Sequence, residues 1–177
     1  MMKFLVVFAI LAVGTQAKTL QLVNGRSSGI QVNVGNDLVS LVANGGTVLE
    51  LEDNWSGTIT AVPENAEDTT GPKTKLQLSL GASDSYSISL EDGFNVGLKI
   101  IPVGSTNCLA SVCVASSILR VCPLLGQVTN SNGTVVGCQS SPLLMAKICP
   151  LAVVDAITAL INVRTCTDAT GYLVIIS

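Results

Sequence analysis

The sequence predicts a mainly β chain: an antiparallel β-sandwich that carries a short, disulfide-stapled excursion of helices and loops. Three observations lead there. Short runs of alternating apolar and polar residues recur between residues 18 and 107, separated by Gly and Asn turns. All six cysteines fall between Cys108 and Cys166. After Cys108 the alternation gives way to apolar segments of helical length that open on Pro142 and Pro150.

Residues 1–17 read MMKFLVVFAILAVGTQA, with Lys3 as a basic start and small residues leading to a cleavage position after Ala17. This is the pattern of a secretory signal peptide and is set apart from the fold. Its apolar run, residues 4–13, is about half of the ~20 residues that a membrane span needs. Residues 151–163 are apolar but stop at thirteen and carry Asp155. The expected organisation is a signal peptide (1–17), a sandwich core (18–107), a disulfide-rich helical and loop region (108–165) and a closing strand (166–177). The chain is expected to be secreted and extracellular, a monomer without membrane insertion.

Each strand has its own pattern. Residues 20–23 alternate and end on an Asn24-Gly25 turn. Ile30, Val32 and Val34 alternate with Gln31 and Asn33. Gly45-Gly46 reads as a hairpin turn before Val48, Leu49 and Leu51. Residues 59–62, 76–80, 86–90 and 96–103 supply further strands, and 172–176 the last one. Residues 63–75 lack an apolar period and read as a loop. In the excursion, 114–121 fits a short helix and 127–134 is polar and turn-rich. Ser141-Pro142 fits a helix start over 143–148, with Ser as cap and Pro in the first turn. Pro150 would open another helix through about Leu160.

Composition excludes several functions. The chain has no His, which removes Ser–His and Cys–His nucleophiles and His-liganded zinc. A net charge of −3 without a basic run argues against nucleic acid. An even number of cysteines in an exported chain implies three disulfides, and the count alone allows fifteen pairings. Zinc is the competing reading, but no close pair has knuckle spacing, so no metal and no cofactor are expected. Asn132-Gly133-Thr134 and Asn54-Trp55-Ser56 are glycosylation acceptors, the first in the more open context. Trp55 and Phe94 read as core rather than as sugar-stacking rings.

Several motifs, in order, resemble the thaumatin-like proteins. Residues 86–95, YSISLEDGFN, are similar to that family's YDVSLVDGFN. Trp55-Ser56-Gly57 resembles its WSG, and Leu22-Val23-Asn24 its opening IVN. Cys108-x4-Cys113, Cys122-Pro123, Cys149-Pro150 and Thr165-Cys166 before Tyr172 follow the family's cysteine order. The resemblance implies the pairs Cys108–Cys166, Cys113–Cys149 and Cys122–Cys138. It also implies that one family disulfide is missing whole, since its two positions fall at about Arg26 and Ser177. The loop over 63–75 and the cysteine-rich stretch between Cys138 and Cys149 are shortened, so the second domain is reduced.

The family's acidic cleft, one Arg, one Glu and three Asp, is linked with β-1,3-glucan binding and, in some members, weak cleavage. Carried over position by position, the Glu becomes Gln77, the first Asp becomes Ser87 and the second stays as Asp92. The last falls near Thr158 and Ala159, with Asp155 one turn earlier. The Arg-bearing segment becomes residues 58–62, which hold no Arg. Gln77 cannot give up a proton, so the acid pair that glycoside hydrolysis requires is lost. Glu91 beside Asp92 does not replace it if the two sit on opposite faces of a strand. Asp92-Gly93 also reads simply as a turn.

The expectation is therefore a non-catalytic, defence-type thaumatin-like protein that binds cell-wall β-1,3-glucan through Asp92, Gln77 and Ser87. A secreted structural or interaction module that contacts another secreted or membrane protein is the alternative. A weak β-1,3-glucanase is the second alternative.

Overall fold

The computed structural model describes residues 17–64, 66, 70–114 and 117–177. The signal-peptide reading, save for Ala17, lies outside the described residues. So do Asn65 and residues 67–69 of the expected loop, and Ala115 and Ser116 of the helix expected over 114–121.

In chain order the strands are β1 (Lys18–Asn24), β2 (Ile30–Val34), β3 (Asp37–Leu41), β4 (Gly46–Leu51), β5 (Ser56–Pro63), β6 (Lys75–Ser79), β7 (Asp84–Ser89) and β8 (Leu98–Val103). The excursion follows: β9 (Ser111–Cys113), helix α1 (Ser117–Val121), a 3-10 turn (Leu124–Gly126), β10 (Gln127–Thr129), β11 (Val135–Cys138), α2 (Pro142–Ile148), α3 (Ala156–Asn162) and β12 (Arg164–Cys166). β13 (Gly171–Ile176) closes the chain.

Two sheets form the sandwich. One has the order β4-β1-β13-β8-β9, the other β12-β7-β6-β5-β2-β3, and β10-β11 is a separate hairpin. Period-two alternation decides the core, because successive strand residues face opposite sides. Leu20, Leu22, Leu98, Ile100 and Val174 from the first sheet are fully buried, as are Ile30, Val32, Ile59, Leu76 and Ile88 from the second.

The strands match the sequence patterns closely, with three differences. The sandwich is not purely antiparallel: β1 and β13 run parallel, Leu20 opposite Tyr172 and Leu22 opposite Val174. Gly45-Gly46 is not a hairpin turn. Gly45 N–H donates to Val42 O at 3.0 Å and Gly46 begins β4, so this turn carries the chain from one sheet to the other. β3 and the β10–β11 hairpin were not legible as strands, since Asp37–Leu41 and Gln127–Thr129 lack a clean apolar alternation. Within the region over 108–165, β9 pairs with β8 and β12 pairs with β7, so it adds a strand to each sheet.

The helices also differ. Ser141 stands at the N-cap of α2, yet its side chain makes no cap hydrogen bond. Pro150 opens no helix. Val153 instead bridges Ser89 in parallel, and the helix starts at Ala156, where Asp155 accepts from Thr158 N–H at 2.8 Å in a capping box. The Asp-x-x-Thr spacing is the signal that marks that start.

Disulfides join Cys108 to Cys166, Cys113 to Cys149 and Cys122 to Cys138, with Cα–Cα distances of 5.5, 5.3 and 5.8 Å. This is the pairing the family resemblance implies. Cys108, Cys166 and Asp168 lie close together. Both sulfurs are bonded to each other, so they offer no thiolate to a metal.

Candidate functional site

The outward face of the six-stranded sheet carries hydroxyls and amides in rows. Ser56 on β5 lies opposite Ser79 on β6, Ser79 opposite Ser85 on β7, and Ser85 opposite Thr165 on β12. The next row is Thr58, Gln77 and Ser87, and the next Asn33, Thr60, Lys75 and Ser89. The inward residues of the same strands are apolar and form the core; most of the polar face lies outside, while on β7 Ser87 and Ser89 are buried too.

A groove of about 300 Å³ runs along the first two rows, with Val163, just after α3, on its rim. Gln77 and Ser87 meet there as direct cross-strand partners, Gln77 exposed and Ser87 buried. No carboxylate is among the described residues that line it.

Asp92 lies apart. It sits in a shallow depression with Glu91, Lys73 and Lys75, and forms an ion pair with Lys75. Lys75 is two residues before Gln77 on the same strand face, so the three residues expected at the site share a neighbourhood but not a groove. Glu91 and Asp92 belong to a turn, not a strand. The opposite-face argument therefore does not separate them. Glu91 instead accepts a hydrogen bond from Ser89 Oγ at 3.1 Å. Asp155 does not line the groove. Its carboxylate is held well below the usual range, first by the Thr158 N–H and then by the Thr158 hydroxyl.

The rest of the Asp-Gly-Phe-Asn motif is structural. Gly93 has φ +99°, and a Cβ there would strike Cys138 O and Pro72, so only glycine fits. Phe94 is buried and exchanges backbone hydrogen bonds of 2.8 Å with Cys138, which ties the sandwich to the excursion. Asn95 donates to Ala61 O at 2.8 Å and accepts from Thr74 N–H at 3.0 Å. Trp55 is partly buried and packs against the core, its ring over Gly57. The acceptor asparagines, Asn54 and Asn132, are both exposed on turns, Asn132 at the tip of the β10–β11 hairpin.

Strands β1 and β13 meet at a buried polar centre that sequence patterns did not reveal. Asp84 accepts from Lys18 Nζ at 2.5 Å, from the Tyr172 hydroxyl at 2.6 Å and from Gly81 N–H at 3.0 Å. Burial pushes the Tyr172 hydroxyl far above the usual phenol range, and Asp84 adds to the shift. The Tyr86 and Tyr172 rings meet in a tilted contact, with centroids 5.4 Å apart and planes at 58°. Its hydroxyl donates to Leu109 O at 2.6 Å, and burial raises its pKa too.

Residues 62–149 match the family model described as the Thaumatin family. Thaumatin-like protein 1 of Prunus persica is 34% identical over 113 residues, 62% of this chain and 44% of that protein. Pathogenesis-related thaumatin-like protein 3.5 of Cryptomeria japonica is 42% identical over 73 residues, 41% of this chain and 30% of that protein. A glucan endo-1,3-beta-glucosidase of Prunus avium is 40% identical over 62 residues, 34% of this chain and 25% of that protein. The chain thus spans half or less of the length of these relatives. Among solved structures, the thaumatin-like xylanase inhibitor superposes with a TM-score of 0.52 at 12% identity, covering 89% of this chain and 97% of that one. At that identity the likeness speaks for the fold. Motif order, disulfide pairing, family model and fold agree, and the chain belongs to the thaumatin-like family.

Proposed function

We propose that this is an exported, defence-type thaumatin-like protein that binds cell-wall β-1,3-glucan through the hydroxyl and amide groove and does not cleave it. The observation that carries the reading is the groove's lining. Thr58, Gln77, Ser79 and Ser85 present neutral donors and acceptors, and no carboxylate among the described residues lines it. Glycoside hydrolysis needs two carboxyl groups about the scissile bond, one of them protonated. Asp92, the retained acid, is paired with Lys75 in the neighbouring depression. A neutral polymer of hydroxyls suits a neutral face of hydroxyls and amides. Pathogenesis-related naming among the relatives supports the defence role. The leader-like residues 1–17 and three disulfides support export, and the exposed Asn132 supports glycosylation on the way.

The test mixes oxidised protein from Lys18 onward with insoluble β-1,3-glucan, chitin and cellulose. Retention on glucan, lost in the Thr58→Ala/Gln77→Ala variant and kept in Asp92→Ala, is the expected result, with no new reducing ends. Glucan cleavage that disappears in Asp92→Ala would favour the weak glucanase.

A second reading, a module that contacts another protein, is favoured by one observation. Leu124, Leu125, Leu143, Ile157, Leu160 and Ile161 are large, apolar and exposed, and all lie in the excursion. No retention on any polymer would move the proposal to this reading.

A further inference from the structure

The six cysteines differ in how open they are. Cys113, Cys122, Cys138, Cys149 and Cys166 are buried, while Cys108, at the start of the excursion, is part-exposed. Thiol–disulfide exchange depends on access, so Cys108–Cys166 is the bridge that a dissolved thiol reaches first.

The carboxylate of Asp168 stands beside that bridge. Its Oδ1 lies 3.2 Å from Cys108 Sγ and 3.5 Å from Cys166 Sγ. Asp168 is exposed, but its loop is pinned: Ala169 is buried and Thr170 N–H donates to Val103 O at 2.8 Å. Asp168 forms no ion pair among the described residues. Asp84, opposite Cys166 across β12 and β7, is paired with Lys18, and Arg164 of β12 stands opposite Tyr86. The charge in contact with both sulfurs is therefore that of Asp168.

Exchange brings a second negative charge to this place. A thiolate attacks Cys108 Sγ in line with the bridge, forms a mixed disulfide and expels Cys166 as a thiolate. A second thiolate then releases the reagent's own disulfide and leaves Cys108 reduced. Two thiols thus become one disulfide, and their two protons end on Cys108 and Cys166. In the first step one negative charge is spread over three sulfurs. Two of them touch the Asp168 carboxylate, and like charges at that distance repel.

We propose that Cys108–Cys166 is the site at which small thiols open this chain, and that Asp168 selects among them, admitting cationic thiols and holding off anionic ones. Opening releases the start of the excursion from the end of β12, while Cys113–Cys149 and Cys122–Cys138 stay closed. The proposal does not rest on glucan binding, since none of Cys108, Cys166 and Asp168 is among the described residues that line the groove.

Cysteamine, which carries an ammonium, and mercaptoacetate, which carries a carboxylate, test it. Each is added at equal thiolate concentration to the folded, oxidised protein, and the order of bridge loss is read by alkylation and peptide mass mapping. Cys108–Cys166 should open first with both. Asp168→Asn should speed the reaction of mercaptoacetate about ten-fold and that of cysteamine less than about two-fold, a gap that shrinks at about 1 M salt. Asp168→Glu should keep the native selectivity. Equal acceleration of both reagents in Asp168→Asn overturns the proposal, because a merely loosened structure opens the bridge to either. Unchanged rates in that variant overturn it too, as does earlier loss of Cys113–Cys149 or Cys122–Cys138, or a folded chain whose three bridges all resist both reagents.

Discussion

The sandwich and the excursion over residues 108–165 solve the same problem by opposite means. In the sandwich, alternate residues of long strands bury their apolar side chains completely, and the outer face is left to Ser, Thr, Gln and charge. In the excursion the helices α1, α2 and α3 have only 5, 7 and 7 residues. Helices so short do not hold alone in water. Many of their apolar side chains stay outside: Leu143 is 90% exposed and Leu160 85%. Among the described residues, all the exposed large apolar side chains other than Leu38, Val42 and Val48 lie in this region. Every disulfide reaches into it. Covalent closure there replaces the burial that the sandwich achieves by packing.

Removing the disulfides should break that contrast most strongly. In the chain-entropy relation, loss of Cys108–Cys166 destabilises by about 4 kcal/mol and loss of Cys122–Cys138 by about 3, because the closed loops span 58 and 16 residues. Urea unfolding of paired Cys→Ser variants measures both. A reversed order would mean that native packing, not loop length, governs these bridges.

Apolar deletions come next. Leu76→Ala, at a fully buried core position, should cost about 3 kcal/mol. Leu160→Ala should change stability by less than about 0.5 kcal/mol, because the side chain is exposed. A large loss for Leu160→Ala at high protein concentration alone would place α3 in a contact between copies.

The polar centre at Asp84 sharpens the comparison from the sandwich side. Asp84→Asn removes the charge facing the part-buried Lys18, and should cost about 2 kcal/mol. Alkaline titration probes the same place. Tyr86 and Tyr172 both have raised pKa values in the folded chain, so the unfolded state loses its phenol protons first. Stability is therefore complete below about pH 10 and falls as the pH rises beyond it. Phenolate absorbance should appear only together with unfolding. A phenolate signal at the usual pH in a folded chain would contradict the burial of both rings.

The smallest effect is expected at α3. The Asp155 pKa is lowered, so its contribution is present above the ordinary carboxylate pKa and is lost as the pH falls through the depressed one. Amide exchange of Ala159 should accelerate in Asp155→Ala and on acidification, with exchange in β1 and β13 unchanged.

The comparison also explains how much could be read from the chain alone. Strands β2 and β6 were legible because one buried face imposes period two on residues 30–34 and 76–80, and β7 because its apolar residues alternate with Ser87 and Ser89, which are buried as well. The excursion was harder. Its helices are short and bury little, so Pro150 looked like a helix start where Asp155 is the real one. At the site, Gln77 and Ser87 came from the family resemblance, which implies carboxyls at their positions. The partnership of Asp92 with Lys75 was not legible, because it depends on where the turn after β7 lands.

By itself, the sequence determined the β class, the rhythm of the sandwich strands and the absence of imidazole chemistry. These are local properties: side-chain period, turn chemistry and residue type. Only the tertiary structure decided the parallel pairing of β1 with β13, the Asp84 centre, the hydroxyl rows and the place of Asp168 at the Cys108–Cys166 bridge. Each of these joins residues far apart in the chain, such as Lys18 with Asp84 or Cys108 with Asp168. No local pattern encodes which distant segments meet, because that choice is made by the packing of whole sheets and the closure of loops.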